Sequence, residues 1–262
     1  MPLILFVIFV FIWYFPIWIG QGKTNRPSRW TIPLAILFGA IPLAIAAIVL
    51  QSFLGYGQRA LALPEVANMA VDAFISAGVI EEGLKFLTAF LIIRKVDPKR
   101  KVDYVLIFGA VGLGYEITET LLGLDSIWAG LIRGVLASHV IWQLWMGMFF
   151  WELRQAKLRN DAKGVRKNAI RMFAVPVLWH GVHDFIAMIT TAKVDAVDPA
   201  VLSNPDAYSS PELTVAAVLG IIFLILLLAE LVFQIIILRK GLRVAKESRL
   251  LDGEIKGEEA AA

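Results

Sequence analysis

Three ionisable side chains, Glu81, Glu82 and Lys85, fall inside an apolar run extending from about Val66 to Ile93. A run of that length can cross the roughly 30 Å hydrocarbon core of a bilayer as a helix. A charge at that depth costs at least about 2.5–3.5 kcal/mol on insertion scales. The segment must therefore satisfy its backbone internally and turn its charges toward other protein groups. On a helix Lys85 lies one turn beyond both Glu82 (i+3) and Glu81 (i+4). The ammonium can neutralise one carboxylate and leave the other for chemistry. The plainer alternative is a packing salt bridge without reactivity.

The rest of the chain suits the same solvent. A globular domain averages about 45–50% apolar and about 25% charged residues; these 262 residues are 58% hydrophobic and 18% charged. The expected fold is all-α, a polytopic transmembrane bundle of about seven spans. Leu3–Gly20 lacks a basic n-region and a small-residue exit, so it reads as a retained span and not a cleaved leader. Thr31 to about Phe53 follows, with Pro42 expected to kink it and a Gly/Pro-containing turn region at Leu54–Pro64. The third span is Val66–Ile93. The fourth, about Tyr104–Leu122, carries Gly109, Gly112 and Gly114, small residues that allow close helix approach. A tight turn at Gly123–Ser126 leads to the fifth span, about Ile127–Trp151. A polar loop is expected at Glu152–Arg171, a sixth span at about Met172–Thr190, an acidic loop to Glu212 and a seventh span at about Leu213–Leu238. Residues 1–240 then form one transmembrane domain with its catalytic core at about 66–190, and 241–262 a cytoplasmic tail, partly disordered.

The loop charges support that count. Loops after spans one, three, five and seven hold three, five, seven and six Lys+Arg, whereas those after spans two, four and six hold one, none and one. By the positive-inside rule the C-terminus is cytoplasmic and the N-terminus outside. The net charge of +3 resides in these short loops, so no nucleic-acid partner is expected. There is no cysteine, which excludes disulfides, a cysteine nucleophile and thiolate ligands.

The buried polar groups share a depth. Counted from the cytoplasmic ends of their spans, Glu81, Glu116, His139, His180 and Asp184 all lie about 9–13 residues in, roughly 15–20 Å at 1.5 Å per residue. Four helices thus aim ionisable groups at one plane near the bilayer centre. Glu116 and Glu119 share a face at i,i+3, and His180 and Asp184 at i,i+4. His183 falls about 60° short of the His180 face and is left outside. Arg133 can pair with an acid such as Glu119 or snorkel. Glu230 and Gln234, at i,i+4 in the seventh span, read as a polar helix contact. Imidazoles and carboxylates suit zinc in a water-activating site. The same groups work without metal if a Glu–His pair deprotonates water and another His holds the oxyanion. Both remain open at this level, and no H-E-x-x-H occurs.

These motifs, in order on successive spans, resemble the PrsW family of intramembrane proteases: Glu81-Glu82-x-x-Lys85, Tyr115-Glu116-x-x-Glu119, His139 and His180-x-x-x-Asp184. That family is related to the CAAX prenyl proteases and the bacteriocin-processing proteases. The resemblance covers roughly Ile80 to Asp184. Tyr115 stands where the family usually has Phe, and Glu119 where the CAAX relatives have a histidine. It implies a multi-pass metalloprotease of the cell membrane that cuts a membrane-anchored protein, an anti-sigma factor in characterised members. It further implies Glu81 and Glu82 as the catalytic pair, Glu81 being the general base, with Glu116 and Glu119 lining the site. His139, His180 and Asp184 would bind a divalent metal, zinc by preference, or stabilise the oxyanion, with Lys85 and Arg133 in support. The rival function is a proton- or cation-coupled transporter, which also buries Glu, His and Asp at midplane. Seven spans without a visible inverted repeat weigh against it. A serine mechanism would need Ser138, but it sits beside His139 and about 100° away around the helix.

Overall fold

In a computed structural model the chain is mostly helical over its described residues, which are 2–21, 26–123, 136, 138–197 and 211–261. Seven helices are seen among them. They are α1 (Pro2–Gly20), α2 (Thr31–Leu61), α3 in three continuous pieces (Glu65–Val71, Asp72–Glu81 and Glu82–Val96), α4 (Lys101–Gly123), α5 (Ser138–Leu158), α6 (Ala162–Asp195) and α7 (Pro211–Ala261). Four of these, at Thr31–Leu61, Lys101–Leu122, Ala162–Asp195 and Leu213–Leu251, are long and apolar enough to cross a membrane. α3 and α5 carry the charges and imidazoles, which lowers their hydropathy.

The core is built around α4. From Val102 to Glu116 every residue is buried, as expected of a helix that is apolar all round. The close packing depends on missing side chains. A Cβ on Gly112 would collide with the carbonyl of His139, and one on Gly114 with the backbone of Ile36 and Ala40 on α2. Thr118 Oγ1 donates to Ala40 O at 2.6 Å on the same seam, and the Tyr14 hydroxyl of α1 donates to Leu106 O at 3.0 Å. α2 and α7 instead expose large apolar side chains such as Phe53, Leu224 and Leu228. In water such surfaces would be costly; in lipid they are the expected exterior.

Several boundaries differ from the sequence expectation. α2 runs on through the expected turn region to Leu61 and stops only where Ala62 turns left-handed (φ 47°) and its N–H closes on Arg59 O. Pro42, expected to kink the helix, lies in a π-helical turn at Gly39–Leu43. Proline cannot donate into the ladder, and the widened turn absorbs that loss. The expected polar loop Glu152–Arg171 is almost entirely helix. Only residues 159–161 break it, because Asp161 caps α6 by accepting from Gly164 N at 2.8 Å. α7 runs to Ala261, over the stretch expected to form the cytoplasmic tail. The expected turn at Gly123–Ser126 beyond its first residue, the start of the fifth span, Arg133 and most of the acidic loop lie outside the described residues.

Candidate active site

α3 changes its winding at the site. Asp72–Glu81 is π-helical and the chain returns to α-helix at Glu82, so the two acids flank the transition. Such widened turns are frequent at functional sites. Lys85, one turn further along α3, is the hub of the polar cluster. It is fully buried, and its ammonium donates to Glu82 Oε1 at 2.8 Å, to Glu81 Oε2 at 3.4 Å and to His139 Nδ1 at 2.7 Å. It also sits 4.2 Å from the centre of the Tyr115 ring, so the aromatic that opens the second motif supports the cation.

The two adjacent glutamates have different surroundings. Glu82 is 0% exposed and accepts from Lys85, from His180 Nδ1 at 3.0 Å and from Gln143 Nε2 at 2.9 Å. Its lone pairs are committed to holding three neighbours. Glu81 is 8% exposed and accepts from Gln51 Nε2 at 2.9 Å and, at longer range, from Lys85.

The imidazoles are oriented by these acids. With Lys85 donating to Nδ1, His139 carries its proton on Nε2, which meets the Glu119 carboxylate in a short hydrogen bond. Glu116 accepts from the His139 backbone N–H at 3.0 Å; it caps the first turn of α5 and fixes the position of His139. His180 donates through Nδ1 to Glu82, and its Nε2 faces Asp184 at 3.6 Å, beyond hydrogen-bond reach. That leaves a ring nitrogen of His180 with its lone pair available. The His139 and His180 rings are 5.0 Å apart.

These contacts bring together eight of the nine residues singled out as site or support by sequence, on α3, α4, α5 and α6. Arg133, the ninth, is not described. One ligand atom each from Glu81, His139 and His180 lie within 4.8 Å of one another. One carboxylate and two imidazoles are a known catalytic donor set for zinc, so the residues fit a divalent ion. Glu82 behind His180 and Glu119 beside His139 are carboxylates in the usual position for groups that fix ring orientation, and Asp184 lies on the side of the free His180 nitrogen. Ligation by His139 would require it to give up one present contact, to Lys85 or to Glu119.

A cavity of about 480 Å³ opens in front of the imidazoles. One wall is Glu116, Glu119, His139, His180 and Asp184; the other is formed by Phe223, Leu227 and Glu230 of α7, with Ser138 and His183 between. Sequence reasoning left these last groups out. Glu230 is 1% exposed, accepts from the Ser138 hydroxyl at 2.5 Å and lies 2.9 Å from His183 Nδ1 without the alignment of a hydrogen bond. Gln234, one turn on, is fully buried with both amide atoms unpartnered. Gln51 and Gln143 were missed as well. For Glu230, Gln143 and Gln51 the available signal was a polar residue inside an apolar run, which is costly unless used.

Known proteins are similar to this chain in sequence. The sequence model described as PrsW family intramembrane metalloprotease matches residues 27–228. Among curated proteins, Protease PrsW of Geobacillus kaustophilus is 27% identical over 128 residues, 47% of this chain and 55% of that protein. Protease PrsW of Clostridioides difficile is 27% identical over 126 residues, 45% and 52% of the two chains. Protease PrsW of Shouchella clausii is 32% identical over 123 residues, 45% and 54%. The chain thus spans about half the length of the curated relatives it matches. No solved structure matches it.

Proposed function

This chain belongs to the PrsW family of intramembrane metalloproteases, and we propose that it is an endopeptidase hydrolysing a peptide bond in a membrane-anchored protein, by resemblance an anti-sigma factor. The observation that carries this reading is the convergence of Glu81, His139 and His180 within 4.8 Å beside a cavity of a size that can hold a length of extended peptide. Family membership favours hydrolysis over ion transport. The proposed setting is the cell membrane, crossed seven times by one domain over residues 1–240 with the C-terminus cytoplasmic.

Glu81 serves as general base. Its carboxylate is the less committed of the pair, so it can take a proton from water held among the converged groups. Glu82 is a positioning residue: it fixes the Lys85 ammonium, the His180 tautomer and Gln143 together. The imidazoles offer donors or cationic character to the oxyanion that forms on the substrate carbonyl. Enclosure by Trp142 and the α7 residues limits bulk water around the reacting carbonyl. In the alternative with metal, Glu81, His139 and His180 would hold a divalent ion, zinc by donor type, and the ion would supply Lewis-acid polarisation and a more acidic water in place of Glu81 as base.

The test is co-expression or reconstitution with a tagged single-span substrate, together with metal analysis of purified protein. Wild type is expected to release a fragment and to carry one divalent ion per chain. His180→Ala is expected to lose both while retaining helical content by circular dichroism. Cleavage persisting in His180→Ala would misplace the site. Cleavage by a metal-free wild type would leave the protease and remove the metal.

A further inference from the structure

At the charge-rich end of the bundle a second cavity, of about 600 Å³, opens between α5, α6 and α7. Its rim carries Lys163, Lys167 and Arg171 from α6 and Lys240 and Arg243 from α7. The three on α6 follow one another at i, i+4 and i+8, on one face, where like charges repel. The fold brings the α7 pair to the same cavity and adds to that repulsion.

The acids nearby do not offset it. Glu152 is engaged by Lys101, and Asp161 is occupied in capping α6. Glu247 is the remaining acid of the lining. None of the five cations is in an ion pair among the described residues. Two are held by aromatic faces, which orient them without neutralising them: Arg171 lies 5.8 Å from the Phe149 ring centre and Lys240 5.3 Å from that of Trp145. Trp145 Nε1 donates to Arg171 O at 2.6 Å, tying α5 to α6 at this level. The lining also holds apolar side chains, Met148, Phe149 and Val244.

A concave group of cations without ion pairs among the described residues, lined also by apolar side chains at the polar end of a membrane bundle, suits a phosphate carrying an apolar attachment. We propose that this cavity binds a phosphate-bearing anion, and that in the bilayer the anion is the head group of an anionic phospholipid. The phosphate would lie among Lys163, Lys167, Arg171, Lys240 and Arg243, and the glycerol backbone against Met148, Phe149 and Val244. Because α7 contributes both Lys240 and Arg243 here and Glu230 to the other cavity, an occupied site fastens α6 to the helix that walls the candidate active site.

The experiment is native mass spectrometry of the full chain in detergent with added phosphatidylglycerol or phosphatidylcholine. Wild type is expected to retain phosphatidylglycerol preferentially. The combined variant Lys163→Gln, Lys167→Gln, Arg171→Gln is expected to lower that retention about tenfold or more. The control Arg159→Gln, Arg166→Gln, Lys246→Gln removes equal charge from residues outside the cavity, and is expected to change it less than twofold. Arg243→Gln, from the facing helix, provides a second variant should the triple fail to fold, with a smaller loss expected. Inorganic phosphate added as competitor separates the sources. Displacement of the lipid at millimolar phosphate assigns recognition to the phosphate alone, as a soluble ligand would also use; no displacement assigns it to the lipid head group. Equal loss in pocket and control variants, or no preference for phosphatidylglycerol, would overturn the proposal.

Discussion

The two walls of the candidate active-site cavity are built on different terms. On the α3–α5–α6 side, charge is matched closely: Lys85 serves three acceptors, Glu82 serves three donors, and both imidazoles are oriented by carboxylates. On the α7 side, Glu230 and the neighbouring His183 retain buried polar atoms without an aligned partner among the described residues. Unpaired buried groups cost free energy. The first wall is preorganised and resists change; the second keeps hydrogen-bonding capacity in reserve, facing the space where a substrate would lie. Rigid chemistry on one side and adaptable contact on the other is a division of labour suited to cleaving a peptide that arrives from the membrane.

The largest effect should come from breaking the matched wall at its centre. Lys85→Met leaves Glu82 buried without its main counter-charge. It should destabilise the protein by about 3–5 kcal/mol, read as a lower unfolding midpoint in detergent. An unchanged midpoint would mean that the cluster is not held by this ion pair. Glu81→Gln probes the same wall differently. It keeps the shape and the contact to Gln51 but removes the base. Cleavage of a single-span substrate should fall at least about 10²-fold, with a midpoint shift far smaller than that of Lys85→Met. Equal damage to stability and activity would erase the distinction drawn between Glu81 and Glu82.

Much of the matched wall was legible in the chain, because its groups sit at short helical spacings and at one depth. Glu81, Glu82 and Lys85 are within one turn or so of each other, and His180 and Asp184 are an i,i+4 pair. Their equal distance from the charged loops placed them in one plane. The α7 wall was not legible for the complementary reason. His183 does lie off the His180 face, but a single helix cannot show which neighbour covers its other side. Its contact is Glu230, on a helix whose packing against α6 is purely tertiary. Ser138 was discounted as a neighbour of His139; its hydroxyl turns instead to α7. The polar stretch 152–171 misled because composition reports solvent exposure, whereas its first part continues α5 to Leu158 and the Asp161 cap starts α6 directly after the break.

A smaller effect should come from the second wall. Glu230→Gln keeps an oxygen for the Ser138 hydroxyl and removes the charge beside His183. If α7 contributes contact and not chemistry, kcat/KM should fall by up to about tenfold, mainly through KM. The loss is bounded because one hydrogen-bonding group changes and the reacting groups of the opposite wall do not. A fall in kcat approaching that of Glu81→Gln would place Glu230 in the chemistry and merge the two walls into one.

The smallest effect belongs to the end of α3, where charge pairs are also dense but open to water. Asp97 accepts from Lys99 and, at 3.0 Å, from Arg154, and these bonds hold its carboxyl below the usual range. A depressed folded value contributes stability above the unfolded value and loses it as pH falls through the folded one. The unfolding midpoint of wild type should therefore decline slightly more than that of Asp97→Asn as pH drops below about 4. Asparagine tolerates the left-handed backbone that Asp97 adopts (φ 47°), so the substitution isolates the charge. The difference should be close to the detection limit and should shrink further in high salt, because an exposed pair gains little and is screened. A large acid-dependent gap would mean that exposure does not set the value of a charge pair here, and that the contrast between Lys85 and the surface rests on something other than burial.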